Sequence, residues 1–196
     1  MLERYLFFGY SDGEISPKEN CLASYITAAR LGSMVILYAE SGSADFSPEE
    51  AVDADMTAFP DGKRWIRLPN IFYYNLPENT DDWARNRPSV PLFRVARLKY
   101  DSVSPYVFYH YQLQEETRKR WSRYYIIGLF GNILVSYDET PSFPGEPRCG
   151  SLGTNNTPEK GWKDKMNGYF DSAWTDAEII FRKDFLWKKR KLLTIG

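Results

Sequence analysis

The sequence predicts an α+β protein, and three observations carry that prediction. The second half places strand and helix signals in the order β-α-β-β-α-β, the order of a ferredoxin-like unit. The first half approximates that order if Asn20 to Arg30 contains a helix. Between them, the stretch from Leu76 to Pro91 holds Pro77, Pro88, Pro91 and the polar run Glu78 to Asp82, and so divides the 196 residues near their middle. Two ferredoxin-like units in tandem are the expected architecture: residues 1–76, a linker at 77–91, residues 92–187, and a basic tail at 188–196. Hydrophobic residues make up 43% of the chain and aromatics 16%, which is enough apolar material to build cores for both.

Taken in order, Leu2 to Tyr10 is aromatic and apolar and stops at Ser11-Asp12-Gly13, so it reads as a strand ended by a turn. Asn20 to Arg30 fits either a short helix or the first arm of a hairpin turning at Leu31-Gly32-Ser33; Met34 to Tyr38 is a firm short strand. Ser47-Pro48-Glu49-Glu50 has the form of a helix start, with proline at the first helical position, and predicts a helix to about Ala58, before Pro60-Asp61-Gly62. Trp65 to Tyr74 reads as a strand interrupted at Pro69-Asn70.

In the second half, Leu92 to Tyr100 alternates apolar and basic residues, as a half-buried strand does. Ser104-Pro105 opens a helix to about Arg118, and Tyr124 to Leu129 and Ile133 to Tyr137 flank the hairpin turn Phe130-Gly131-Asn132. Pro141 to Thr157 is loop. A second helix from about Lys160 to Phe170 and a final strand from Ala177 to Phe185 complete the unit.

Charge and composition exclude several functions. With 25 basic against 26 acidic residues the net charge is -1, so nothing global attracts nucleic acid or an anionic membrane, and neither is an expected partner. Cys21 and Cys149 form no CxxC pair and there is one histidine, so no metal site is expected. No stretch of 18 apolar residues is present and no signal peptide is visible, so a cytoplasmic location is expected and Asn155-Asn156-Thr157 would not be glycosylated. Trp121 among Arg118, Lys119, Arg120 and Arg123 reads as a helix end where cations complement the dipole, and Lys188 to Lys191 as a solvated tail.

Tyr106 and His110 are spaced i, i+4 and so share one helix face. A histidine exchanges a proton near neutral pH and a neighbouring phenol hydrogen-bonds a substrate oxygen, which suits proton shuttling on a neutral polar molecule. The same histidine could equally be a packed core residue.

Several residues of the second half resemble the L-rhamnose mutarotase family: Arg97-Leu98-Lys99 on the strand, the Tyr106-x-x-x-His110 helix, the hairpin from Tyr125 to Glu139, and Trp162-x-x-x-Met166. The resemblance covers roughly half the chain. It departs at Lys163, where the family has a second tryptophan, and at Gln112 to Glu115, which replace a Pro-x-x-Trp. It implies a dimeric α/β-barrel arrangement, a cofactor-free interconversion of sugar anomers, Tyr106 and His110 as the catalytic pair, and Trp162 as a pocket wall. Asp138 and Glu139 are candidates to hold sugar hydroxyls. The expected substrate is a small polar molecule such as a monosaccharide, and a homodimer is a further expectation of the class. Two other functions fit the same fold: a non-catalytic module binding a ligand or a protein, and an oxygenase of the same barrel superfamily.

Overall fold

The computed structural model describes residues 2–73, 75, 83–116, 122–145, 152 and 161–185. The sequence features at Arg118 to Trp121, Cys149, Asn155 to Thr157 and Lys188 to Lys191 lie outside them. The fold is mixed α+β, with antiparallel strands and few helices. Among the described residues no helix is long and apolar enough to cross a membrane. The chain forms two compact units: Met1–Leu68 with Pro77–Pro91 and Ala177–Gly196, and Pro69–Leu76 with Leu92–Asp176. Residues 83–91 thus group with the first unit.

The first unit is built on β1 (Glu3–Tyr10), β3 (Ala23–Leu31) and β4 (Met34–Ser41), with a short pair from β2 (Ile15–Pro17) and β5 (Val52–Ala54). Asn20 to Arg30 is therefore mainly strand, and the helix reading of that segment is corrected. Ala23–Leu31 pairs along β4 from Ala23↔Ser41 to Leu31↔Met34, and the left-handed Gly32 (φ 60°) starts the two-residue turn, a position glycine takes without steric cost. With β2 standing between β1 and β3, the first unit lacks the helix that a full β-α-β-β-α-β order needs.

Helix α1 (Pro48–Ala51) begins at proline as expected but ends after four residues, because Val52 joins β5 opposite Pro17. Ser47 makes no side-chain cap; its hydroxyl donates to the Glu49 carboxylate at 2.6 Å. Strand β6 (Ile66–Arg67) pairs with β1. The sheet order of this unit is β6-β1-β4-β3, followed by the C-terminal half of β11 (Phe170–Asp184), where Glu178 to Asp184 pair with Arg30 to Tyr25. One face packs an apolar core of Tyr5, Phe7, Ile26, Val35, Leu37 and Trp65. Because strand side chains alternate, Arg4, Tyr38 and Glu40 are on the other face.

The second unit follows the predicted order. Strand β8 (Val90–Leu98) leads through a 3-10 turn to helix α2 (Val103–Glu116), then β9 (Ile126–Phe130), β10 (Ile133–Thr140), α3 (Trp162–Asn167) and the first half of β11. Strand β11 starts at Phe170 rather than Ala177, and α3 is shorter than expected. The order across the sheet is β11-β8-β10-β9, ending on β7 (Asn70–Tyr73). In units of chain order this is 4-1-3-2, the same arrangement that β6-β1-β4-β3 makes in the first unit. Leu134 on β10, Ala96 and Leu98 on β8, and Ile127 on β9 pack against Tyr106 and Leu113 of α2.

Candidate functional site

Helix α2 brings Tyr106 and His110 together as their spacing requires. The two rings stack at 4.0 Å between centroids with a 27° interplanar angle. Trp162, at the start of α3, meets His110 edge-on at 5.3 Å, and Phe72 on β7 does so at 5.5 Å. Three aromatic rings therefore enclose the imidazole, leaving His110 6% exposed.

His110 Nδ1 lies 2.9 Å from the Tyr106 carbonyl oxygen. A carbonyl only accepts, so Nδ1 carries the hydrogen and the lone pair of the neutral ring sits on Nε2. Burial lowers the His110 pKa from 6.5 to about 4, against the smaller upward pull of the carbonyl bond. Burial also raises the Tyr106 phenol well above its ordinary value, helped by Tyr125. At neutral pH the pair is an uncharged acceptor stacked on an uncharged donor.

Asp138 and Glu139 separate onto opposite faces of β10 because strand side chains alternate. Asp138 shares the Leu134 face, the one that packs on α2. It accepts from the Ser122 hydroxyl and from the Glu139 backbone N–H at 2.7 Å. Its charge contributes to raising Tyr125 to about 12, behind burial and opposed by Arg94. Tyr125, whose ring meets Phe72 at 5.8 Å, is thus the element between Asp138 and the His110 cluster. The sequence marks Tyr125 only as the first residue of the hairpin and gives it no role, because its partners lie on other elements. Glu139 is buried on the other face, where the Tyr137 hydroxyl donates to it at 2.6 Å. The structure brings Tyr106, His110 and Trp162 into one cluster, connects Asp138 through Tyr125, and turns Glu139 away.

The lowered His110 pKa has a consequence for stability. Between about pH 4 and 6.5 the unfolded chain holds a proton that the folded chain does not. Stability from this group is therefore complete above 6.5 and is lost as pH falls through that window. The full effect is on the order of 3 kcal/mol for a side chain this buried. Urea unfolding at both ends of the window tests it: His110→Gln is expected to lose less stability on acidification than the wild type by about that amount.

Among the described residues no three His, Cys, Asp or Glu side chains gather as a metal site. No known family's profile matches the sequence, and no curated protein matches it. These comparisons give no support to the likeness to L-rhamnose mutarotases. Among solved structures the chain is similar to an anthrone oxidase-like protein, with 10% identity, 94% of this chain and 93% of that chain covered, and a TM-score of 0.39.

Proposed function

We propose that the second unit binds a small neutral polar molecule, with a monosaccharide as the leading class, and moves protons on it without a cofactor. The observation that carries this reading is the neutral, Nδ1-protonated His110 held in an aromatic enclosure with its Nε2 lone pair uncommitted to the Tyr106 carbonyl. Aromatic walls pack the apolar face of a sugar ring, and an uncharged acceptor suits an uncharged hydroxyl.

For anomer exchange, Nε2 would take the proton of the anomeric hydroxyl as the C1–ring oxygen bond breaks, and the imidazolium would pass that same proton to the ring oxygen, leaving a carbonyl at C1, a free hydroxyl and a neutral imidazole. Tyr106, kept protonated by burial, would hydrogen-bond the departing ring oxygen. A base with a pKa of about 4 is weak, but its conjugate acid returns the proton readily. That suits a cycle that borrows and gives back one proton at each ring opening. The tandem reading accompanies this proposal, supported by the matching sheet orders of the two units, and the cytoplasm remains the compartment it assigns.

A second reading keeps the fold and drops the reaction: a module that binds a ligand or a protein, with His110 as a core residue. The 6% exposure of His110 favours it. NMR exchange spectroscopy on a panel of reducing sugars separates the two. The proposal expects faster anomer exchange for at least one sugar, with loss in His110→Ala. Unchanged exchange across the panel leaves the non-catalytic module, and a variant as fast as an active wild type removes His110 from the reaction.

A further inference from the structure

The non-core face of the first unit carries a second constellation that the reaction above does not use. Glu40 on β4 is fully buried, and Arg85, from the segment 83–89, is 3% exposed. Two guanidinium nitrogens of Arg85 donate to the two carboxylate oxygens of Glu40, at 2.9 and 2.8 Å. The guanidinium lies over the Tyr25 ring at 3.5 Å. The Tyr38 hydroxyl donates to Glu40 Oε1 at 2.7 Å and accepts from Arg4 Nε at 2.9 Å. Arg4 in turn lies 5.2 Å from the Trp83 ring, so a second side chain of the same segment is seated in the cluster. A carboxylate fork facing one edge and an aromatic ring beneath form the geometry that recognises a planar guanidinium.

The acceptor half of this site occurs twice. In both hairpins a left-handed glycine is followed six residues later by tyrosine and eight by glutamate: Gly32, Tyr38, Glu40 and Gly131, Tyr137, Glu139. In each the tyrosine hydroxyl donates to that glutamate, at 2.7 and 2.6 Å. The Tyr-x-Glu pair thus belongs to the hairpin, while Arg85 comes from a separate segment 45 residues along the chain.

We infer that the non-core face of the first unit is a guanidinium-binding site that the chain occupies with its own Arg85, so that residues 83–89 are a strap bound in place by a ligand-like side chain. Removing that side chain opens a site for an alkylguanidinium from solution. The test is thermal unfolding of full-length Arg85→Ala with increasing methylguanidinium, at concentrations far below the denaturing range and at constant ionic strength.

The expected result is a saturating rise of the midpoint, about 3–6 °C at tenfold excess over the dissociation constant, with no rise in the wild type. Tetramethylammonium, a cation without N–H donors, is expected to give none, as is methylguanidinium with the Glu40→Gln/Arg85→Ala double variant. An unresponsive Arg85→Ala, or an equal response to tetramethylammonium or in the double variant, overturns the inference. Should Arg85→Ala be unfolded alone, circular dichroism decides in the same way: folding on addition of methylguanidinium supports the site, and a chain that stays unfolded overturns it. None of these outcomes depends on the sugar reaction of the second unit.

Discussion

Glu40→Ala is expected to destabilise the chain by about 3–5 kcal/mol, the cost of removing one member of a buried ion pair. The carboxylate is fully buried and takes the Arg85 fork and the Tyr38 hydroxyl together. Alanine leaves the Arg85 guanidinium in the same low-dielectric position without its principal counter-charge. It also removes the acceptor that orders Tyr38, and through Tyr38 the bond from Arg4. Replacing both members of the pair by apolar residues of similar volume, Glu40→Leu with Arg85→Met, is expected to cost less than Glu40→Ala alone, since it takes away the desolvated charges along with their attraction. Urea unfolding of the three proteins measures both effects. A Glu40→Ala cost within about 0.5 kcal/mol of zero, the range of ordinary surface substitutions, would show that the pair is exposed in solution.

Phe72→Ala is expected to cost about 3–5 kcal/mol as a large-to-small substitution at a fully packed site. The side chain is 1% exposed and belongs to the core that packs on α2. Its ring faces both His110 and Tyr125, so its loss also admits water to the imidazole. Because burial is the main cause of the lowered His110 pKa, the variant is expected to titrate closer to 6.5 than to 4. Unfolding gives the first effect and NMR titration gives the second, and the single histidine makes its signal self-assigning. An unchanged His110 titration in a folded Phe72→Ala would mean that other residues hold the imidazole out of water.

The second unit was readable in the sequence because proline and glycine punctuate it. Ser104-Pro105 set the start of α2 within two residues, and Gly131 placed the β9–β10 turn. The i, i+4 spacing of Tyr106 and His110 places both side chains on one helix face, where their rings stack. The β3 segment was ambiguous for a physical reason. Its alanines at 23, 28 and 29 favour helix, and pairing with β4 overrides that local preference.

Arg85 was illegible because it stands in the polar, proline-bearing stretch that reads as a linker, and its partner is on a distant strand. One signal could have found the acceptor side of that cluster: the repeated spacing of glycine, tyrosine and glutamate at 32, 38, 40 and at 131, 137, 139. It escapes a search for identity between halves because the residues between them vary while the hairpin geometry does not. Asp138 and Glu139, adjacent in sequence, were separated by the alternation of strand side chains once β10 was shown to extend to Thr140.

His110 is a neutral imidazole with its hydrogen on Nδ1 and its lone pair on Nε2. A long-range proton–nitrogen correlation spectrum of the single histidine, followed as pH is lowered from neutral, tests it most directly. The Nδ1–H tautomer at neutral pH and a midpoint near 4 are expected. A midpoint near 6.5, or a hydrogen on Nε2 at neutral pH, would contradict it.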